Sequence, residues 1–201
     1  MLRATSDAIM VGAQTIRADN PRLLVKSAAR RQRRVAAGLP ASPRRVTISG
    51  TGDLDPRSRF FAAESGPSLV YVPAVTAAAV ARRLSEVAVV VTAPAGADEK
   101  RLDLRWLLAD LAERGIGRLM VEGGATVLAG LLAAGLADEF QLAVAPLFVA
   151  DPRAPRLLEG IQPGVISGRL RLAAVSQAGD MAVLRYRPGS PDSVDREAPP
   201  A

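Results

Sequence analysis

Met120-Val121-Glu122-Gly123-Gly124-Ala125-Thr126 joins a short apolar segment, predicted to be a strand over 118–122, to an alanine-rich helix predicted over 125–134. The two glycines let the turn adopt conformations that other residues rarely reach, and they let a ligand approach the main chain closely. The helix that follows presents free amide groups and the positive end of its dipole, a combination that binds phosphate. The segment therefore predicts a phosphate-binding turn.

The same spacing also fits a tight turn that binds nothing, because the segment is neither a dinucleotide fingerprint of three glycines nor a P-loop with its lysine. Two side chains beside the glycines favour a site. Glu122 ends a predicted central parallel strand, the edge at which α/β proteins bind ligands, although a carboxylate there can also be a cap or a surface charge. Thr126 lies in the first predicted helical turn, where we expect its hydroxyl to be within reach of a phosphate oxygen.

Outward from this turn, apolar runs that predict strands alternate with stripes that predict helices. The predicted strands cover 7–11, 46–49, 68–72, 86–91, 118–122 and 138–144, and the predicted helices cover 74–84, 103–115 and 125–134. Alternation of this kind calls for a mainly parallel sheet with helices on its faces, joined by right-handed crossovers. The fold class is therefore α/β.

Three segments depart from the alternation. Residues 26–45 are rich in Arg, Ala and Pro without a sustained period, so we expect a surface excursion with one helical turn at most. Residues 170–176 and 181–186 alternate apolar and polar positions and predict an antiparallel hairpin at one side of the sheet. We expect one domain over 1–187, followed by a proline-rich disordered tail over 188–201.

The residue types that the chain lacks narrow its chemistry. It contains no cysteine and no histidine, which excludes disulfides, thiolate metal sites and a cysteine nucleophile, and removes the commonest metal ligand. We therefore expect no metal site, whereas hydride transfer needs neither residue. No apolar run approaches the ~20 residues that span a bilayer, and the first residues do not resemble a signal peptide. A soluble cytoplasmic protein is expected.

The positive charge suggests a rival function. The formal net charge is +6, and arginines cluster in one region: Arg30, Arg31, Arg33, Arg34, Arg44 and Arg45. Such a cluster is typical of a nucleic-acid-binding protein, but also of a solvated surface. The chain has few aromatic residues for base stacking and no recognisable recognition helix, so nucleic acid is an unlikely partner.

Another polar segment, from Val11 to Leu23, contains hydroxyl, amide, arginine and carboxylate side chains, and it lies close after a predicted strand. Its Asp19-Asn20-Pro21 stretch favours a turn. Alone, this segment could be only the exit of a helix. Together with Val121-Glu122-Gly123-Gly124, it resembles the reductase domain of the bacterial bifunctional riboflavin-biosynthesis deaminase-reductases and their stand-alone relatives.

The resemblance extends from about Leu2 to Tyr186, and the stretch 46–56 is most similar to stand-alone actinobacterial-type members. It implies a dihydrofolate-reductase-like, three-layer fold with a mostly parallel central sheet and a closing C-terminal antiparallel hairpin. It also implies a homodimer. The implied reaction is reduction by NADPH of the ribosyl group of 5-amino-6-(5-phosphoribosylamino)uracil to a ribityl chain.

The resemblance further assigns roles to single residues. Glu122 matches a substrate contact, and as the only well-placed ionisable group we take it as the catalytic residue, for substrate orientation or proton handling. The positions that match the cofactor site are Thr15, Asp19, Ser49, Gly50, Gly123, Gly124, Ala125, Thr126 and Val127. The positions that match the substrate site are Arg3, Leu23, Lys26 and Glu122. Lys26 often corresponds to arginine in relatives, and lysine keeps the charge but loses the bidentate fork.

Relatives begin with a further strand and helix ahead of the position of Leu2, and their first loop contacts substrate and nicotinamide. We therefore expect the native start to lie upstream, or the chain to be a fragment. The resemblance does not choose NADPH over NADH, because no arginine can be assigned to a 2′-phosphate. It also leaves open an inactive relative that only dimerises.

Overall fold

The computed structural model describes residues 2–62, 66–94, 102–154, 157 and 170–189. These form two compact units, Met1–Leu128 and Ala129–Ala201, and each is described by itself. The strands are β1 (Ala8–Gly12), β2 (Arg44–Ile48), β3 (Ser68–Pro73), β4 (Ala88–Ala93), β5 (Leu119–Gly123), β6 (Phe140–Val144), β7 (Leu170–Ala178) and β8 (Met181–Pro188). The α-helices are α1 (Ala13–Asp19), α2 (Ala28–Ala36), α3 (Ala74–Leu84), α4 (Leu104–Glu113) and α5 (Ala125–Ala133). The 3-10 turns are Leu2–Thr5 and Arg59–Phe61.

The first unit contains a parallel sheet in the order β4-β3-β2-β1-β5. β1 and β3 are buried at every position, which is typical of parallel strands covered on both faces. The loop after β2 adds Phe60 and Phe61 to the core, with their rings edge to face at 5.1 Å. The predicted α/β class and parallel sheet are confirmed, and every carboxyl strand end lies at one edge of this sheet.

The second unit contains an antiparallel sheet in the order β6-β8-β7. The predicted antiparallel hairpin is confirmed, since β7 and β8 flank a turn at Gly179 with φ of 61°. Its expected place at one side of the parallel sheet is wrong, because β8 pairs with β6 in a separate sheet. The expectation that 138–144 would belong to the parallel sheet is wrong, because β6 pairs antiparallel with β8. Its alternating Phe140-Gln141-Leu142 pattern suits a strand with one apolar face, as antiparallel sheets require.

The expectation of an excursion over 26–45 is also wrong, because residues 28–36 form the nine-residue helix α2. Ser27 caps it, and its hydroxyl accepts a hydrogen bond from the Arg30 amide at 3.4 Å. Ala, Arg and Gln are good helix formers. The missing apolar stripe misled the prediction, since the buried position of α2 is occupied by Arg34.

The predicted C-terminal tail and the expectation that no segment spans a membrane can also be compared with the structure. Pro188 still belongs to β8, and the rest of the predicted tail, from residue 190 onward, lies outside the described residues. Helices in the described part of the chain are too short or too polar to cross a bilayer.

Helix α4 is joined to β3 by a polar contact between side chains. The Tyr71 hydroxyl donates to an Asp110 carboxylate oxygen at 2.6 Å, and Arg114 donates to the same carboxylate at 2.6 and 3.1 Å. Tyr71 is fully buried, and Trp106 packs against its ring. Burial, followed by the bond to Asp110, raises the pKa of Tyr71 well above its usual range.

We expect Tyr71→Phe to lower the free energy of unfolding by about 1.5–3 kcal/mol, the usual worth of a hydrogen bond to a charged group. The folded state keeps the Tyr71 proton above pH ~10, where an unfolded tyrosine loses it, so this contribution falls as pH rises past that point. Urea unfolding at neutral and alkaline pH would measure both effects. Tyr186→Phe is the matched control, and equal losses in the two variants would contradict the assignment.

Candidate functional site

The carboxyl ends of β1 and β5 meet at an irregularity in the parallel pairing. Met10 pairs with Val121, but Val11 pairs with Gly123, so Glu122 is an extra residue in β5. A β-bulge of this kind redirects a side chain and is common beside active sites. Because of the bulge, the Glu122 side chain does not follow the regular alternation of side-chain directions along β5.

Just beyond the bulge, the backbones of Gly12 and Gly124 pass very close to each other. Gly124 has φ of 87°, and a Cβ atom at this position would lie 3.2 Å from the Gly12 Cα and 3.3 Å from its nitrogen. Only glycine satisfies both the left-handed conformation and the close approach. On the other side, a Cβ on Gly12 would lie 3.3 Å from Val127 Cγ2.

This contact brings together several residues predicted to hold the cofactor. Thr15 of α1 lies beside Gly123, since a Cβ there would be 3.5 Å from the Thr15 hydroxyl oxygen. Ala125 and Thr126 begin α5, and Thr126 is exposed. The first amides of a helix have no acceptor within it, so this turn presents free N–H groups beside the Thr15 hydroxyl.

Glu122 is bound by Arg3 from the first 3-10 turn. Arg3 Nε lies 2.5 Å from Glu122 Oε1, and an Arg3 terminal nitrogen lies 2.5 Å from Oε2. This is a bidentate pair, with side chains 32% and 17% exposed, so it is sheltered but still reachable by a ligand. Two of the residues predicted to contact substrate are therefore in direct contact.

The other terminal nitrogen of Arg3 donates to the Leu24 carbonyl at 3.2 Å, which links the pair to the predicted substrate segment 23–26. Arg31 donates to the carbonyls of Val25 at 2.8 Å and Lys26 at 3.0 Å. The Val25 amide donates to Ser42 Oγ at 3.0 Å. Arg31 and Ser42 shape this segment, and no local pattern in the sequence identifies them.

Sequence reasoning also missed the residue that fixes the turn carrying Arg3. Arg34 is 5% exposed, and it donates to the carbonyls of Ala4 at 3.0 Å, Ser6 at 2.8 Å and Pro40 at 2.8 Å. Burial lowers the pKa of Arg34, and the charge of Asp7 opposes that shift. Arg34 therefore ties α2 to the backbone just after Arg3.

The remaining predicted residues occupy different settings. Ser49 is buried and its hydroxyl accepts from the Gly52 amide at 2.9 Å, while Gly50 is exposed. Both follow β2 at the sheet edge shared with Gly12, which registers with Ile48. Asp19 is exposed at the end of α1, and Lys26 is likewise exposed. None of these four is brought into direct contact with the Arg3–Glu122 pair by the described contacts.

The arginine cluster behind the rival nucleic-acid function does not form one surface. Arg34 and Arg45 are buried, and Arg45 donates to the carbonyls of Ala62 and Gly66. Arg31 is engaged with the main chain at 25–26, and Arg44 donates to the Pro67 carbonyl at 3.3 Å. Most of these charges therefore hold backbone segments together. Within the described ranges, no three carboxylates converge as metal ligands would.

Known proteins resemble this chain in sequence and in fold. The family model described as the RibD C-terminal domain matches residues 1–184. The 2,5-diamino-6-ribosylamino-4(3H)-pyrimidinone 5′-phosphate reductase of Archaeoglobus fulgidus is 37% identical over 159 residues, 79% of this chain and 70% of the relative. The protein of the same name from Methanothermobacter thermautotrophicus is 35% identical over 190 residues, 92% of this chain and 81% of the relative. A pyrimidine reductase-like protein from Corynebacterium diphtheriae superposes with a TM-score of 0.76 at 26% identity, covering 94% of this chain and 78% of that one.

We expect Gly124→Ala to destabilise the protein more than Gly115→Ala. Both glycines have positive φ, 87° and 79°, so both variants incur the cost of a left-handed alanine, about 1–2 kcal/mol. Only at Gly124 does the new methyl also meet backbone, that of Gly12. Urea unfolding would compare them, and equal losses would show that the Gly12–Gly124 approach is not a constraint.

Proposed function

The chain belongs to the RibD C-terminal domain family, and we propose that it is a reductase of riboflavin biosynthesis that uses a nicotinamide cofactor to convert a ribosyl group into a ribityl chain. The observation that carries this proposal is the bidentate pair of Arg3 and Glu122. Glu122 directly precedes the Gly123–Gly124 turn in the sequence. A polar pair for the substrate and a phosphate-binding turn for the cofactor thus share one edge of the sheet.

For the cofactor we propose NADPH. The turn at Gly124 and the first amides of α5 would hold its pyrophosphate, because free N–H groups and a helix dipole favour an anion there. The Thr15 hydroxyl beside Gly123 would add a further donor, and Asp19, Ser49 and Gly50 would line the more distant part of the cofactor. When bound, the cofactor supplies the hydride.

For the substrate we propose a phosphorylated ribosylaminopyrimidine. Opening its ribosyl ring adds a hydride to C1′ and a proton to the ring oxygen. Glu122 retains lone pairs that the Arg3 fork does not use, so it would accept from substrate N–H or hydroxyl groups and orient the sugar. With no histidine in the chain, we propose that water delivers the proton. Lys26 would attract the substrate phosphate.

Two substrates fit this description. The resemblance in the sequence implies 5-amino-6-(5-phosphoribosylamino)uracil, whereas the Archaeoglobus and Methanothermobacter relatives are named for the 2,5-diamino pyrimidinone. The two differ by an amino or an oxo group at position 2 of the ring. Assays with both compounds decide between them.

We further propose that the protein is a homodimer that uses the exposed face of its three-stranded sheet. The register places one apolar set on that face: Phe140, Leu142, Val144, Leu172, Val175, Ala182, Leu184 and Tyr186. Val175 is 61% exposed, Leu172 49% and Val144 48%. An apolar sheet face of this kind is typical of an interaction surface.

We also propose that the enzyme acts in the cytoplasm, because the proposed cofactor and phosphorylated substrate are metabolites of that compartment. Cell fractionation followed by immunodetection would test the location, and recovery outside the cytoplasmic fraction would contradict it.

We expect Glu122→Gln to lower kcat/KM for the authentic substrate by about 10–100-fold, because the amide loses the charge-assisted fork with Arg3. Oxidation of NADPH and of NADH, followed at 340 nm with each pyrimidine, measures this and ranks the cofactors. Glu139→Gln is the control, since Glu139 faces Arg185 and Arg187 in the other unit. Unchanged turnover would remove Glu122 from the mechanism. A folded dimer that binds no cofactor and reduces neither compound would instead be an inactive relative.

We expect the wild type to be dimeric and Val175→Asp to be monomeric, because a carboxylate on the apolar face opposes its burial. Ser176→Asp is the matched control, since Ser176 is exposed on the opposite face of the same strand. Light scattering after size exclusion would measure both variants, and a monomeric wild type would contradict the proposal.

A further inference from the structure

A cavity lies between the first 3-10 turn and α2. Its volume is about 260 Å³, and its walls are largely carbon, from Ala4, Ala37 and Leu39. Leu39 is 43% exposed, so its side chain is accessible to a ligand. None of the residues predicted to bind cofactor or substrate lines this cavity.

The polar residues that line the cavity are Thr5 and three arginines. Arg30, Arg33 and Arg34 line it and lie on one face of α2, at spacings of three and four residues. Among the residues that the structure describes, no carboxylate lines it. A positive cavity with an apolar floor therefore faces solvent.

The three arginines differ in how they are engaged. Arg34 is buried and donates to three main-chain carbonyls, and the negative charge of Asp7 acts on it as well. Arg33 has one long bond, at 3.4 Å, to the Ala29 carbonyl of its own helix. The Arg30 guanidinium donates to no partner within the described part of the chain, and both Arg30 and Arg33 are exposed. Two forked donors thus remain available one helical turn apart.

We propose that this cavity binds a small phosphate monoester whose apolar group rests on Ala4, Ala37 and Leu39 while Arg30 and Arg33 bind its phosphate. Two guanidinium forks can bind the three terminal oxygens of a phosphate at once, whereas a carboxylate offers only two oxygens. The buried charge of Arg34 adds to the attraction. The volume of about 260 Å³ admits one such molecule.

The probe is phenyl phosphate, added to the full chain in which alanine methyl groups carry 13C. The methyls of Ala4 and Ala37 are expected to shift and saturate together, while the methyl of Ala129, in α5, does not move. Inorganic phosphate, which lacks the apolar group, is expected to bind about tenfold more weakly.

The double variant Arg30→Gln/Arg33→Gln is expected to weaken phenyl phosphate about tenfold or more. The control is Arg82→Gln/Arg118→Gln, which makes the same charge change at two exposed positions elsewhere and is expected to bind as the wild type does. Glu122→Gln is also expected to bind normally, which separates this cavity from the Arg3–Glu122 pair.

Three results would overturn the proposal: shifts that do not saturate, equal affinity in the Arg30/Arg33 variant, or equal affinity for phenyl and inorganic phosphate. Because the readout is binding at Ala4 and Ala37, it is independent of reductase activity. Failure here would leave the proposed function standing, and loss of the proposed function would leave this site standing.

Discussion

The close approach of the Gly12 and Gly124 backbones is the constraint on which the site depends. It forces the ends of β1 and β5 together, so that α1 and α5 begin side by side. Thr15 then faces Gly123 across the gap, and the chain accommodates the crowding with a bulge that sets Glu122 apart. A side chain at Gly124 would meet the Gly12 backbone and push these helix starts away from each other.

Arg3 reaches Glu122 from a short 3-10 turn that buries no residue of its own. Such a turn cannot hold its position through apolar packing, so tertiary hydrogen bonds must supply the rigidity that orients a ligand. Arg34 provides them by donating to carbonyls on both sides of Thr5. A buried guanidinium is costly without acceptors, which makes the three carbonyls as necessary to Arg34 as Arg34 is to the turn.

The sequence predicted local features well and distant pairings poorly. The helix at 74–84 was bounded to the residue, because its periodicity and its flanking turns are local. Strand β6 was assigned to the wrong sheet, because its partner β8 lies about forty residues away and only the register reveals it. The resemblance to known reductases named Arg3 and Glu122 separately as substrate positions, but it did not predict the ion pair between them. Its supports, Arg34 among them, bond to backbone carbonyls, and no pattern of residue types encodes those bonds.

The segment predicted to contact substrate has a shape that its own residues do not favour. Leu23 has φ of 55°, a left-handed conformation that costs a branched, apolar residue about 1–2 kcal/mol. Its side chain is nevertheless 3% exposed, and bonds from Arg3 and Ser42 hold the two residues that follow. Strained backbone of this kind persists only where surrounding contacts over-determine it, and it gathers at ligand sites. The conformation of segment 23–26 therefore depends on tertiary contacts, which is why it could not be predicted from the residues of the segment alone.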